Sequence, residues 1–265
     1  MKLELRSIDR HFADFICRES GCQAPELWFA TALLSYATGQ GHICLDLAAV
    51  AGAEVVLTDG KTGSLPDTAA LIGLLRGLPT VAAPGGFCPL VLDDAGRLYL
   101  YRYWSYEQNL AQVVLGMVRD LVPVCEQTLR AGMVRLFPGQ TRTETDWQAV
   151  AALAAVRKRL TVISGGPGTG KTSTVVKILA LLLEQYPDRQ LRIALAAPTG
   201  KAAARLKESI AGMKAQLPCS EQVRQKIPTA VTTIHRLLGF VSGSTRFRYS
   251  SDNPLPFDLV VIDES

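Results

Sequence analysis

The chain lacks an apolar run approaching the length that spans a bilayer, so no membrane-spanning helix is expected. Its start, Met1-Lys2-Leu3-Glu4-Leu5-Arg6, lacks the pattern of a secretory leader. The six cysteines (Cys17, Cys22, Cys44, Cys88, Cys125, Cys219) include no C-x-x-C pair, which argues against a zinc site and a disulfide framework. Free thiols in a reducing cytoplasm are the expectation, and with it a cytoplasmic location. Histidine is scarce, at three residues, and before residue 140 only His11 and His42 occur, so a nuclease centre of clustered histidines is excluded there. There is no internal repeat and no low-complexity tract. No nuclease constellation is visible anywhere in the chain.

What is present is an ordinary globular composition, with 48% hydrophobic and 20% charged residues over 265 positions, enough for two domains each with its own core. The net charge of +4 is unevenly placed. Residues 1–140 carry 11 Lys and Arg against 14 Asp and Glu, whereas residues 141–265 carry 17 against 10. The second part is thus suited to an anionic partner, although charge of this size is also ordinary surface.

Two regions read differently. Helices are expected at Ile8 to Cys17, at Glu26 to Ala37 behind Pro25, and at Asp67 to Leu75. His42 to Leu47 reads as a short strand. Pro89 to Leu92 and Leu98 to Trp104 flank Asp93-Asp94-Ala95-Gly96-Arg97 as a hairpin, with helices following from Tyr106 to Val122 and on to Phe137. The aromatics Tyr99, Tyr101, Tyr103 and Trp104 read as a half-buried strand rather than a base-stacking platform, because the local charge is not basic. Pro138-Gly139-Gln140-Thr141 marks a boundary, giving domains 1–140 and 141–265. Beyond it helix and buried strand alternate: a helix at Trp147 to Lys158, strands at 160–163, 191–196 and 258–263, and helices at 173–183 and 201–213. That alternation predicts an α/β domain with a parallel sheet, behind a smaller, mostly helical α+β domain.

The sharpest motif is Gly165-Gly166-Pro167-Gly168-Thr169-Gly170-Lys171-Thr172, which meets G-x-x-x-x-G-K-[ST] between an apolar run and a helix. Glycines let the backbone wrap a polyphosphate so that N–H groups and the helix N-terminus, from Ser173 onward, face its oxygens. Lys171 would reach the β- and γ-phosphates, and the Thr172 hydroxyl would hold Mg²⁺. ATP with Mg²⁺ is the cofactor expected. Leu259-Val260-Val261-Ile262-Asp263-Glu264 is the matching apolar strand ending in carboxylates. Asp263 would serve Mg²⁺, and Glu264 would orient and deprotonate the attacking water.

Two further strand-to-helix turns are less specific. In Ala197-Pro198-Thr199-Gly200-Lys201, Thr199 can cap a helix that carries Lys201 and Arg205 on one face. This suits a nucleic-acid phosphate as well as it suits two solvated cations. Thr233 opens Ile234-His235-Arg236-Leu237-Leu238 in the same way, and His235 alone reads as structural. Gln148, beside Trp147, reads on its own as an exposed helical glutamine.

Taken together, Gln148, G-G-P-G-T-G-K-T, A-P-T-G-K-A-A-A-R-L, T-I-H-R-L-L-G and V-V-I-D-E-S stand in the order found in superfamily 1 DNA helicases. The wording resembles the RecD family, subunits of the RecBCD enzyme (exodeoxyribonuclease V). The resemblance is specific over 145–265 and looser over the first half, where it rests on Leu33-Leu34-Ser35, Gly39 to Leu45 and Arg97 to Trp104. It implies a P-loop NTPase of RecA-like fold and a 5′→3′ single-strand motor acting at broken duplex ends in recombinational repair. RecB-like and RecC-like partners are implied, with the amino-terminal domain docking on the RecC-like one. It makes Gln148 an adenine reader and Pro198, Thr199, Lys201, Arg205, Thr233 and His235 contacts to single-stranded DNA. The motifs of a second motor domain do not follow Ser265, so the chain reads as the amino-terminal part of a longer protein, inactive by itself. A stand-alone RecD-like helicase, a conjugative-relaxase-type helicase and a nucleotide-binding docking module remain the alternatives.

Overall fold

In the computed structural model, which describes residues 2–58, 60–138, 145–244 and 246–263, the chain divides into two units, residues 1–113 and 114–265.

The first unit runs β1 (Lys2–Leu3), α1 (Ser7–Ser20), α2 (Pro25–Gly39), β2 (Leu45–Asp46), α3 (Leu47–Val50), β3 (Glu54–Leu57), β4 (Thr62–Ser64), α4 (Thr68–Arg76), β5 (Val81–Ala82), β6 (Leu90–Leu92), β7 (Arg97–Leu100) and the start of α5 (Tyr101–Arg119). α2 opens on Pro25, whose missing N–H costs nothing in a first turn. The apolar residues chosen from the sequence lie on one face, but Leu27 to Ser35 are buried on every side. α2 is therefore the core rod of this unit, packed by Ile16 of α1, Val55 and Leu57 of β3 and Leu71 of α4. Its tie to α1 is polar. The fully buried Asp9 carboxylate accepts from the Arg6 guanidinium (2.7 and 2.9 Å), the Arg6 N–H (3.0 Å) and the Ser35 hydroxyl (2.6 Å). Burial pushes the Asp9 carboxyl upward, but the Arg6 and Ser35 hydrogen bonds outweigh it and hold it below the ordinary range.

Two small sheets complete the unit, ordered β1-β3-β4 and β2-β7-β6-β5. The hairpin expected around Gly96 is present: Asp93 accepts from the N–H groups of Ala95 and Arg97, and Gly96 takes a φ of 77°. Its second strand is shorter than expected. Only Tyr99 of the four aromatics lies on it, buried to 1% exposure, and burial pushes its phenol up. Tyr101, Tyr103 and Trp104 open α5 instead, because the ladder with β6 ends at Leu100 opposite Leu90.

The second unit runs from the rest of α5 through α6 (Glu126–Leu136), α7 (Trp147–Arg157), α8 (Lys171–Gln185), β8 (Ile193–Ala197), α9 (Gly200–Gln216), α10 (Glu221–Lys226), β9 (Val231–Thr233), α11 (Ile234–Leu238) and β10 (Leu259–Ile262). α6 contributes Leu129 and Leu136 to the core of this unit, and Gly132 lets it lie close on α8, since a Cβ there would sit 2.5 Å from Leu181 Cδ2. The boundary expected within Pro138-Gly139-Gln140-Thr141 falls partly outside the described residues, and α6 lies on the carboxy-terminal side of the division.

The sheet has the order β10-β8-β9, all parallel, with Leu259 opposite Ile193 and Ala197 opposite Thr233. α8 buries Val176, Leu179 and Leu181 in the core beneath it, together with Val156, Leu195, Leu206 and Ile210. Residues 160–163 correct the sequence reading: they form no strand. They face β10 across a cavity of about 210 Å³ lined by Leu160, Ile163, Val175, Ile178, Leu259 and Val261, so no ladder reaches them. At the opposite end of β10, Asp258 accepts from the Arg192 N–H at 2.8 Å and from the Arg192 and Arg189 guanidinia at 3.2 and 2.7 Å. The hydrogen bonds from Arg192 hold its carboxyl down at about 2.

Candidate functional site: a phosphate loop beside two capped helices

The loop from Gly165 to Thr169 is solvent-exposed and leads through the half-buried Gly170 into α8. Gly168 and Gly170 have φ of 77° and 81°, in the left-handed region where a side chain is strained. Gly170 also needs its missing Cβ for space, because Gln148 Nε2 would lie 2.5 Å from it. Thr169 closes the loop from within, its hydroxyl donating to the Gly166 carbonyl at 2.9 Å.

Lys171, the first residue of α8, turns its Nζ back onto the Gly165 and Gly166 carbonyls at 2.5 and 2.9 Å. The ammonium is therefore held over the loop by neutral acceptors, at a position where a phosphate oxygen would compete for it with a full charge. The first-turn N–H groups of α8, at Lys171, Thr172 and Ser173, precede the first intrahelical partner and face the loop end. This cradle fits a polyphosphate. Among the described residues no group of three or more His, Cys, Asp or Glu could hold a metal by itself. A magnesium ion that takes only one or two protein oxygens and completes its shell from phosphates and water is compatible with this donor set. Asp263 leaves the end of β10, its N–H donating to the Ala196 carbonyl at 3.0 Å, and lines the same cavity as Lys171. Glu264 lies outside the described residues.

Beside the loop a cleft of about 560 Å³ is lined by Trp147, Gln148, Val150, Val162, Thr169 and Lys171, among others. Gln148 does not stand free in it: its amide donates to the Thr169 carbonyl at 3.0 Å. The glutamine thus braces the loop from α7. The apolar wall, with Trp147 75% and Val162 84% exposed, is not singled out by the sequence reading. An exposed tryptophan in the first turn of a helix was the available signal.

The sequence candidates for strand contact fall into two groups that the sheet joins. Thr199 caps α9, accepting from Ala202 N–H at 3.2 Å, and Thr233 caps α11, accepting from Arg236 N–H at 3.3 Å. Both caps follow the carboxyl ends of neighbouring parallel strands, since Ala197 of β8 pairs with Thr233 of β9. Lys201 and Arg205 are exposed on one face of α9, while Ala202, Ala203 and Leu206 are buried. Pro198 is half-buried, and His235 is exposed on α11. Crevices outside the carboxyl ends of such strands are where open α/β sheets take ligands.

A parallel sheet, a glycine loop closed by a lysine and a helix rising from it define a P-loop NTPase fold, and residues 148–265 match the family model of an AAA domain. Residues 2–99 match the model "RecBCD enzyme subunit RecD, N-terminal domain". The chain belongs to the RecD family. It is 38% identical over 260 residues to the RecBCD enzyme subunit RecD of Mycobacterium tuberculosis (strain ATCC 25618 / H37Rv), covering 97% of this chain and 42% of that protein. It is 40% identical over 244 residues to the subunit of the same name from Mycolicibacterium smegmatis, covering 89% and 40%. An ATP-dependent RecD2 DNA helicase from Deinococcus radiodurans is 42% identical over 170 residues, covering 64% and 20%. The chain spans about two-fifths of the length of these two RecD subunits. Among the described residues no helix is long and apolar enough to cross a membrane.

Proposed function

We propose that the protein is an ATP-dependent 5′→3′ single-strand DNA translocase, a helicase subunit of a RecBCD-type enzyme that processes duplex ends in recombinational repair. Its partners in this reading are RecB-like and RecC-like subunits, its first unit docks on the RecC-like one, and its second unit forms a RecA-like motor domain. The observation that carries the reading is the arrangement around one sheet end: a phosphate loop with its lysine, next to two threonine-capped helices flanked by Lys201, Arg205 and His235.

Bound MgATP would supply the phosphoanhydride whose cleavage drives movement. Gly165 to Thr172 and Ser173 bind and orient the phosphates through backbone N–H groups, and Lys171 exchanges its loop carbonyls for phosphate oxygens. Thr172 and Asp263 would hold the magnesium. Glu264 accepts a proton from the attacking water. Gln148 fixes the loop and lines the side of the cleft where a base would lie. Pro198, Thr199, Lys201, Arg205, Thr233 and His235 hold the strand. A DNA grip at the β8 and β9 ends would respond to the nucleotide through the paired strands β10 and β8, which lead into Asp263 and Thr199.

The test is ATP turnover with and without single-stranded DNA in the enzyme assembled with RecB-like and RecC-like subunits, comparing wild type with Lys171→Gln. The expected outcome is that the variant loses this subunit's DNA-stimulated share and all unwinding from 5′-tailed ends. Unaltered 5′-tail unwinding in the variant would overturn the reading. The 42% identity to a RecD2 helicase favours one rival, a free-standing motor. Unwinding of a 5′-tailed duplex without partners would select it.

A further inference from the structure

We infer that the segment after α11 is a base-stacking platform, in which His235, Phe240 and Phe247 receive unstacked bases of a single strand and Arg236, Arg246 and Arg248 hold its phosphates. The inference rests on the DNA reading above and adds to it a site that grips bases.

The platform is built by the end of α11. Gly239 stops the helix at a φ of 70°, and Phe240 N–H donates to the His235 carbonyl at 3.1 Å. The chain then returns onto this end: Arg248 N–H donates to the Gly239 carbonyl at 2.8 Å and Tyr249 N–H to the Leu238 carbonyl at 3.1 Å. A Cβ on Gly239 would lie 2.8 Å from Arg248 Cβ, so only glycine allows the approach. Phe240 and Phe247 thereby meet across an antiparallel bridge.

The result is three rings with centroids 6.0 to 6.5 Å apart, each pair tilted by 61 to 66°. They are not a core. Phe240 is 59% and Phe247 38% exposed, and His235 is exposed beside them. A single exposed phenylalanine is ordinary, whereas a tethered cluster is a binding surface.

Charge decides what binds. Between Ile234 and Asp252 the chain carries Arg236, Arg246 and Arg248 against Asp252 alone, so the segment that holds the rings is net positive. A polyanion with accessible flat faces satisfies both features, and a single strand offers them where a duplex hides its base faces. The segment also continues directly from Thr233, so stacking would act on the strand whose phosphates meet the capped helices.

The experiment is fluorescence anisotropy of this chain with a labelled oligo-dT and with an abasic oligomer of equal length. It compares wild type, Phe240→Ala/Phe247→Ala and Phe240→Leu/Phe247→Leu. Each base stacked on a ring supplies enough for about a tenfold change in affinity. Wild type should favour oligo-dT over the abasic strand by about that factor, and both double variants should lose the preference. The exposed rings leave thermal midpoints unchanged, which separates lost binding from lost folding. Leucine variants that bind as wild type would mark an apolar, protein-type surface and overturn the proposal. Equal binding of both oligomers by wild type would overturn it while sparing the DNA reading. Absence of any single-strand binding by this chain would overturn the platform and leave the DNA reading to the assembled enzyme.

Discussion

Gly170 shows how much a single residue can decide in this site. It caps α8 from the left-handed region, and its missing Cβ leaves room for the Gln148 amide that braces Thr169. A left-handed backbone costs other residues about 1–2 kcal/mol, and the displaced amide adds to that. Gly170→Ala should therefore weaken binding of a fluorescent ATP analogue by about tenfold in a titration, with the α8 core intact. Lys171 illustrates a different principle. Its ammonium is held by two carbonyls at 2.5 and 2.9 Å, so the loop is already shaped around a cation that anionic oxygens can claim.

Among elements, β10 is the instructive one. It is registered on β8 by four pairs and anchored at its start by Asp258 on Arg192 and Arg189. The Asp258 carboxyl is held at about 2, below its ordinary value of 3.8. A lowered carboxylate contributes stability in full above its unfolded value, and that contribution fades as the pH falls through the folded one. Thermal midpoints of the wild type should thus fall from about pH 4 towards pH 2 more steeply than those of Asp258→Asn. Equal slopes would show that the anchor adds nothing. Because Asp263 lies at the far end of the same strand, this anchor also sets the position of a residue assigned to magnesium.

For the whole molecule, the two units keep separate cores. One is built around α2 with Leu27, Phe29 and Leu34, the other around α8 with Leu179, Leu181 and Leu195. Asp9 belongs to the first, where it joins α1 to Ser35 of α2. Asp9→Asn removes the charge that the Arg6 guanidinium and the Ser35 hydroxyl bond to and should lower stability. Hydrogen exchange should register the loss in amides of α1 and α2 and leave those of α8 and β8 protected as before. Loss spread evenly over both units would mean that they unfold as one.

The phosphate loop, its lysine, the Asp263 strand and most helices were legible in the sequence, because each depends on local chemistry: glycines that free φ, a capping residue such as Thr199, and apolar periodicity. The two threonine caps were visible too, though nothing local showed that they share a sheet end. That follows from the pairing of Ala197 with Thr233, made between segments more than thirty residues apart. The hydrogen bond from the Gln148 amide to the Thr169 carbonyl was not legible either, since it is made across tertiary distance. The strand expected at 160–163 failed for a related reason. Its apolar run satisfies the local pattern, but a strand exists only where a neighbour supplies the ladder, and here a cavity separates it from β10. The extension of the 98–104 strand ended likewise where β6 ended, and Tyr101 turned into a helix. The sequence by itself determined which segments can be loops, helices and caps. Which of them meet was decided by tertiary pairing, since hydrogen-bond partners and close approaches belong to pairs of distant residues.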